Sequence, residues 1–309
     1  MTRSITRLGV QQSVEAIFPP AALVEYLSDL PIDVSVVDEA GIGDCDAVVT
    51  RNYFESLLDV EWIHSTQAGI DRFPLQTLAD EGVALTNSTG IHGRSVGETV
   101  AGYLLAFARR LHDHIVSATE RRWERPAWDE AFTLPGTTAC IVGTGTLGCG
   151  VAEIVSALGV EPVGVRRSEE PLPEFERMYA VDDLHEAIAN ADFVIVTVPL
   201  TDATRNLFDE AAFEVMREEA YFVNVARGAV VDESALIEAL VAGDIAGAAL
   251  DVFETEPLPE ESPLWNMDEV IVTPHAAAYT RDYYRDVGDI VRDNVTRLKH
   301  GEELVNQVV

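Results

Sequence analysis

Residues 138–159 read TACIVGTGTLGCGVAEIVSALG, with Gly143, Gly145 and Gly148 in a G-x-G-x-x-G array. A short apolar run, Ala139–Val142, precedes the array, and a segment of helical periodicity, Val151–Leu158, follows it. The three glycines have separate physical duties. The first permits a tight turn, the second lets backbone approach a pyrophosphate, and the third lets helix and strand pack closely. Amide groups at the helix start, from Thr146 and Leu147 onward, would face phosphate oxygens. A strand, a glycine turn and a helix in this order predict the opening unit of a dinucleotide-binding fold. An ordinary turn rich in small residues is the alternative. Against it, the next strand, EPVGV, ends at the distance the fold requires.

That distance raises the question of which dinucleotide. Twenty-one positions beyond Gly145, where an NAD-binding chain places Asp or Glu for the ribose hydroxyls, stand Arg166, Arg167 and Ser168. A carboxylate would repel a ribose 2′-phosphate, whereas a guanidinium fork and a hydroxyl bind one. NADP(H) is therefore the expected cofactor. NAD(H) stays open, because the arginines could be solvated loop charges and Glu169 and Glu170 follow directly.

Working outward, the chain alternates strands with helices, the pattern of an α/β fold with parallel sheets. ITRLGV, VSVV, AVV, EWIHS and GVALTN form an early series; TACIVG, EPVGV, DFVIVTVP, AYFVNVA, AGAALDV and VIVTPH form a second. The second series is nearly continuous in apolar residues, as expected where helices cover both sheet faces. Between the two, SVGETVAGYLLAFARRL (95–111) is a predicted helix, with Ser95 as N-cap and Glu98 completing a capping box. The last helical stretch, RDYYRDVGDIVRDNVTRLKHG, has no strand of its own and is expected to pack back on the first domain. The fold class predicted is α/β with two doubly wound parallel-sheet domains and a cleft between them.

Composition narrows the partners. The chain carries 53 acidic and 21 basic residues, a formal charge of −32, and Lys299 is its only lysine. Such a field repels nucleic acid and anionic membranes. Its extremity points to the high-salt cytosol of a salt-accumulating halophile; an acidic protein of a GC-rich genome is the plainer explanation. The N-terminus lacks the apolar core of a signal peptide. Cys45, Cys140 and Cys149 are scattered without metal-ligand spacing, and are expected to be reduced thiols. No metal is expected.

Three segments beyond the glycine loop place polar residues at strand ends: Arg227, Asp251 with Glu256, and His275. In an open α/β sheet, ligands bind beyond the carboxyl ends of the strands. An Arg suits an anionic substrate, a His moves a proton at a carbonyl or hydroxyl, and a carboxylate orients the His. Singly, each has a structural alternative: an internal ion pair, a helix cap after Pro274, a surface acid.

Together these segments resemble the D-isomer-specific 2-hydroxyacid dehydrogenases. The likeness covers nearly the whole chain: QAGID (67–71), GETVAGYLL (97–105), GTGTLG (143–148), VPLTDATRNLF (198–208), NVARGAVVDESAL (224–236), AALDVFETEPLP (248–259) and TPHAA (273–277). Arg227 precedes Glu256 by 29 residues, and His275 follows by 19. The resemblance implies a flavodoxin-like substrate domain, residues 1–95 with 281–309, and a Rossmann cofactor domain, residues 96–280. It implies His275 as acid/base, Glu256 as its partner, and Arg227 as anchor for the substrate carboxylate, joined by the amides of Gly69 and Ile70. Asp251 would meet the nicotinamide carboxamide, and Pro199 and Thr204 would line the cofactor wall. The expected reaction is reduction of a 2-oxo acid to a D-2-hydroxy acid by hydride from the cofactor, with Glu256 favouring the imidazolium of His275.

The chain also departs from the family's pattern. Gly97 stands where the family has Ala, which is expected to loosen packing. The continuation RFPLQTL after QAGID resembles the glyoxylate and hydroxypyruvate reductase branch. Tyr53 is a candidate substrate contact, with an amphipathic helix as the alternative. Glu256 disfavours a formate dehydrogenase, which would carry Gln there. A chain ending at Val309 is expected to lack the regulatory domain of long-form phosphoglycerate dehydrogenases. A homodimer is expected through the Val96–Arg110 helix and the Trp123–Trp128 segment. The rival class is a cofactor-sensing corepressor on the same fold, disfavoured by the charge.

Overall fold

The computed structural model describes residues 5–168 and 170–309; Glu169, one of the two acids beside Arg166–Ser168, lies outside the described residues. The chain divides into two compact units, Met1–Ile91 with Tyr279–Val309, and His92–Ala278.

In the first unit, five strands form one parallel sheet: β1 (Arg7–Gln11), β2 (Asp33–Val37), β3 (Ala47–Thr50), β4 (Trp62–Ser65) and β5 (Ala84–Thr86), in the order β2-β1-β3-β4-β5. Strands β3 and β4 are buried along their whole length, while the edge strand β2 has exposed positions. Burial on both faces is why AVVT and WIHS lack polar alternation. Polar atoms at such positions need partners. His64 is buried and lies 2.9 Å from Thr86 Oγ1 through Nδ1 and 3.1 Å from Ser88 Oγ through Nε2. Burial depresses its pKa to about 3.

Helices α1 (Pro20–Tyr26) and α2 (Leu75–Glu81) belong to this unit, together with the C-terminal helix Tyr283–His300. The C-terminal helix buries Tyr283, Val287, Val291 and Val295, a one-turn repeat facing α1 and the core. Tyr283 Oη donates to Thr66 O at 2.8 Å, and Arg292 donates to Asp29 at 2.6 Å and to Tyr26 O at 2.8 Å.

The second unit holds seven parallel strands: β6 (Thr138–Val142), β7 (Glu161–Arg166), β8 (Arg177–Ala180), β9 (Phe193–Val196), β10 (Tyr221–Asn224), β11 (Gly247–Leu250) and β12 (Val270–Val272). Their order is β12-β11-β10-β9-β6-β7-β8. Both sheets are doubly wound, as the alternating pattern predicts. Strand β8, RMYA, is not among the strands expected from sequence. It is an outer strand with no fully buried residue, so it carries no apolar run to mark it.

Helices α3 (Gly93–Ala108), α4 (Leu111–Thr119), α5 (Thr146–Ala157), α6 (Leu184–Ala189), α7 (Glu210–Glu214) and α8 (Glu233–Ala242) complete this unit. Two expectations change here. Helix α3 starts at Gly93 with His92 as N-cap, so Ser95 is already helical and its hydroxyl donates back to His92 O at 3.2 Å. Glu98 instead accepts from Arg94 Nε at 3.1 Å. Nor does Gly97 loosen packing. A Cβ there would lie 2.6 Å from Gly150 O, so the glycine permits closer contact between α3 and α5 than alanine would.

Candidate active site

Because the second sheet is parallel throughout, the segments following β6, β9, β10, β11 and β12 all leave from its carboxyl end. Strand β6 lies between β7 and β9, the point where the winding reverses and where such sheets bind ligands. The glycine loop leaves β6 there.

Each glycine has a distinct environment. Gly143 has φ +102°, a conformation side chains rarely adopt, and a Cβ on it would crowd Val198 at 2.8 Å. A Cβ on Gly148 would collide with Gly143 O, so this glycine is needed for helix-to-strand contact. Around Gly145 nothing lies within 4 Å. It is the exposed N-cap of α5, and the first turn of α5 has no acidic residue. Free space, open helix amides and no repelling carboxylate fit a pyrophosphate. Helix α5 begins at Thr146, five residues earlier than the periodicity suggests, so Thr146 and Leu147 are in its first turn.

Arg166 ends β7, half-buried, with exposed Arg167 and half-buried Ser168 after it. Among the described residues no ion pair involves either arginine. In the loop after β9, Thr204 Oγ1 donates to Pro199 O at 2.6 Å and accepts from Thr201 N at 2.8 Å, which fixes the loop's turn.

The structure brings His275 and Glu256 together. His275 Nδ1 lies 2.8 Å from Glu256 Oε2, and Glu256 Oε1 accepts the Phe253 amide at 3.3 Å. Burial alone would raise the Glu256 carboxyl. The hydrogen bond and charge of His275, the Phe253 amide and the charge of Arg227 outweigh that and hold it below the usual carboxylate value. The bond to a carboxylate orients the ring through Nδ1 and leaves Nε2 outside this pair. Arg227 follows β10 as N-cap of a short 3-10 turn, Gly228–Val230, and donates through Nη1 to Ala226 O at 2.7 Å. A Cβ on Gly228 would collide with the Phe253 backbone. The loop bearing Arg227 therefore sits directly against the loop bearing Glu256.

Asp251 is 1% exposed. Its Oδ1 accepts from Thr273 Oγ1 at 2.6 Å and Ala276 N at 2.9 Å, and its Oδ2 accepts from Ala277 N at 2.9 Å. These bonds fold the segment after β12 around His275, which has φ +52°. A left-handed residue other than glycine costs roughly 1–2 kcal/mol, so the surrounding bonds must hold it. Two residues not singled out from the sequence join in: Thr99 Oγ1 donates to Ala277 O at 2.9 Å, and Tyr103 Oη lies 2.6 Å from Thr273 Oγ1. Their only trace in the sequence is the four-residue spacing of two hydroxyls on one helix.

Tyr53, Gly69 and Ile70 lie in the first unit, at the carboxyl ends of β3 and β4. Tyr53 precedes a 3-10 turn, Glu55–Asp59, instead of lying on an amphipathic α-helix, and meets Phe73 edge-on at 6.4 Å. The loop carbonyls are tied down: Gln67 O accepts from Ser88 N at 3.2 Å, and Ala68 O from Asn87 Nδ2 at 2.8 Å. Among the described residues no group of His, Cys, Asp or Glu is arranged for a metal, and no helix is long and apolar enough to cross a membrane.

Residues 101–277 match the family profile described as D-isomer specific 2-hydroxyacid dehydrogenase, NAD binding domain. A glyoxylate reductase of Korarchaeum cryptofilum is 32% identical over 328 aligned positions, covering 100% of this chain and 96% of that enzyme. A D-3-phosphoglycerate dehydrogenase of Methanocaldococcus jannaschii is 33% identical over 84% of this chain, which spans about half, 49%, of that enzyme's length. Among solved structures, the NADPH-dependent glyoxylate/hydroxypyruvate reductase of Sinorhizobium meliloti, in complex with NADP and sulfate, superposes with a TM-score of 0.81 at 26% identity, covering 98% of each chain. With a match across more than half its length and a relative aligned end to end, the chain belongs to the D-isomer specific 2-hydroxyacid dehydrogenase family.

Proposed function

We propose that this protein reduces 2-oxo acids to D-2-hydroxy acids, with NADPH preferred over NADH. The observation that carries the reading is the 2.8 Å bond between His275 Nδ1 and Glu256 Oε2, set at the carboxyl end of the sheet beside Arg227. When bound, the nicotinamide supplies the hydride. Arg227 holds the substrate carboxylate with its guanidinium fork. In the first unit, the amides of Gly69 and Ile70 and the side chain of Tyr53 are assigned as substrate contacts. His275 gives its Nε2 proton to the carbonyl oxygen as negative charge develops there, and Glu256 stabilises the charged ring beforehand and holds its aim. Asp251 uses three of about four acceptor positions on its own chain, leaving one for a carboxamide N–H.

Arg166, Arg167 and Ser168 support the NADPH preference, as does the absence of a carboxylate partner for either arginine among the described residues. Names carried by relatives point to glyoxylate or hydroxypyruvate as the substrate class. Trp123 and Trp128 are 96% and 93% exposed, and we assign them as anchors of a homodimer.

The test is kcat/KM for NADPH and NADH with glyoxylate, hydroxypyruvate and pyruvate in molar KCl. A tenfold advantage for NADPH, about 1.4 kcal/mol, is expected. Turnover with none of these acids would overturn the reaction, and equal use of both cofactors would overturn the preference.

A further inference from the structure

The left-handed conformation of His275 requires a frame, and helix α3 supplies part of it. Thr99 and Tyr103 are four residues apart on α3 and so project from one face. Thr99 reaches Ala277 O, two residues beyond His275; Tyr103 reaches Thr273 Oγ1, two residues before it. The two hydroxyls thus hold both flanks of the histidine.

Chemistry sets the direction of the Tyr103 bond. Thr273 has one hydroxyl proton, and it goes to Asp251 Oδ1 at 2.6 Å, since a carboxylate only accepts. The phenol must therefore donate to Thr273. Tyr103 is buried, and burial pushes its pKa up to about 12, with the charge of Asp251 acting in the same direction. The donor stays protonated across any working pH. The resulting chain, Tyr103 to Thr273 to Asp251 to the Ala276 and Ala277 amides, closes around the loop. A leucine or phenylalanine at 103 would fill the same space on the helix but leave Thr273 without this donor.

We propose that Thr99 and Tyr103 are positioning residues for proton transfer by His275, so that α3 sets the aim of the ring without touching substrate. This rests on His275 as the proton donor.

The experiment compares full-length wild type with Tyr103→Phe, Thr99→Val, Thr99→Ser, His275→Ala and the double variant His275→Ala/Tyr103→Phe. Rates are measured with NADPH and the best 2-oxo acid, in H2O and D2O, and the imidazole resonances of the cofactor-free protein are recorded by NMR. Tyr103→Phe and Thr99→Val are expected to lower kcat three- to thirtyfold, raise the solvent isotope effect on kcat, and broaden or split the His275 ring signals, with KM for NADPH unchanged. Thr99→Ser should restore the wild-type values, and Tyr103→Phe should have no further effect when His275 is already Ala. Unchanged kcat, isotope effect and ring signals in both Tyr103→Phe and Thr99→Val would overturn the inference. So would an equal loss from Tyr103→Phe with and without His275. If His275→Ala alone keeps full kcat, the histidine's own role fails first, and that result is separate from the others.

Discussion

A Cβ on Gly150 would collide with the carbonyl of Gly93, so α5 and α3 meet backbone to backbone. Gly97, one turn along α3, makes the same approach to Gly150 O. The helix that begins at the glycine loop is thereby seated against the helix that carries Thr99 and Tyr103.

Gly150→Ala is therefore expected to destabilise the protein by roughly 1–3 kcal/mol, because backbone cannot swing aside as a side chain can. Gly102, on the same α3, has nothing within 4 Å of an added Cβ. Gly102→Ala should stabilise by about 0.4–1 kcal/mol through loss of chain entropy and better helix propensity. Opposite shifts in Tm for one chemical change would locate the contact.

Glu256→Gln keeps a hydrogen-bond acceptor near His275 Nδ1 but removes the charge. A fall in kcat on the order of tenfold or more is expected, with a smaller change in KM for the oxo acid. Since Glu256 is held below the usual carboxylate value, its carboxylate should persist to lower pH than that of an ordinary glutamate. Steady-state kinetics of the two proteins would check both points.

Arg166→Ala with Arg167→Ala should raise KM for NADPH about tenfold or more and leave NADH nearly unchanged, since only a 2′-phosphate can use the guanidinium forks. Equal losses with both cofactors would point to damage of the β7 end instead.

His64 is buried as the neutral imidazole, with a folded pKa of about 3 against the ordinary histidine value of 6.5. Its folded value is depressed, so its contribution is full above about pH 6.5 and is lost as pH falls toward 3, where the unfolded chain binds a proton the folded chain refuses. Between about pH 7.5 and 5 this is roughly 2 kcal/mol of stability. Urea midpoints at the two pH values should show His64→Gln less stable at the higher pH yet less sensitive to acid than wild type.

The charge of −32 predicts a further dependence, on salt. Self-repulsion weakens as the Debye length shrinks from ~10 Å at 0.1 M to ~3 Å at 1 M. Tm should rise steeply between those concentrations of KCl, and an equal osmolarity of sucrose should give a smaller rise.

Much of the architecture was legible locally. Apolar runs such as FVIV and AVVT are buried on both faces, and strands of that kind announce themselves by composition. Strand β8 did not, because an outer strand can remain half wet. Ser95 carried the right residue type for a cap, but the N-cap lies three residues earlier, at His92, where Gly93 meets the start of α5 at Thr146 O, 2.7 Å from a notional Cβ. Propensity yielded there to packing.

The two doubly wound sheets, the glycine turn and the order of the polar residues at strand ends could all be read along the chain. Each depends on spacing within one segment: a period of hydrophobicity, a turn that only glycine tolerates, a polar residue just past a strand. Other features arose only on packing: Gly97 tightens a helix contact, Asp251 gathers the His275 loop, and Tyr103 meets Thr273 across 170 residues of chain. A hydroxyl's partner is set by distances of a few tenths of an ångström between separate elements, and those distances exist only once the core has packed.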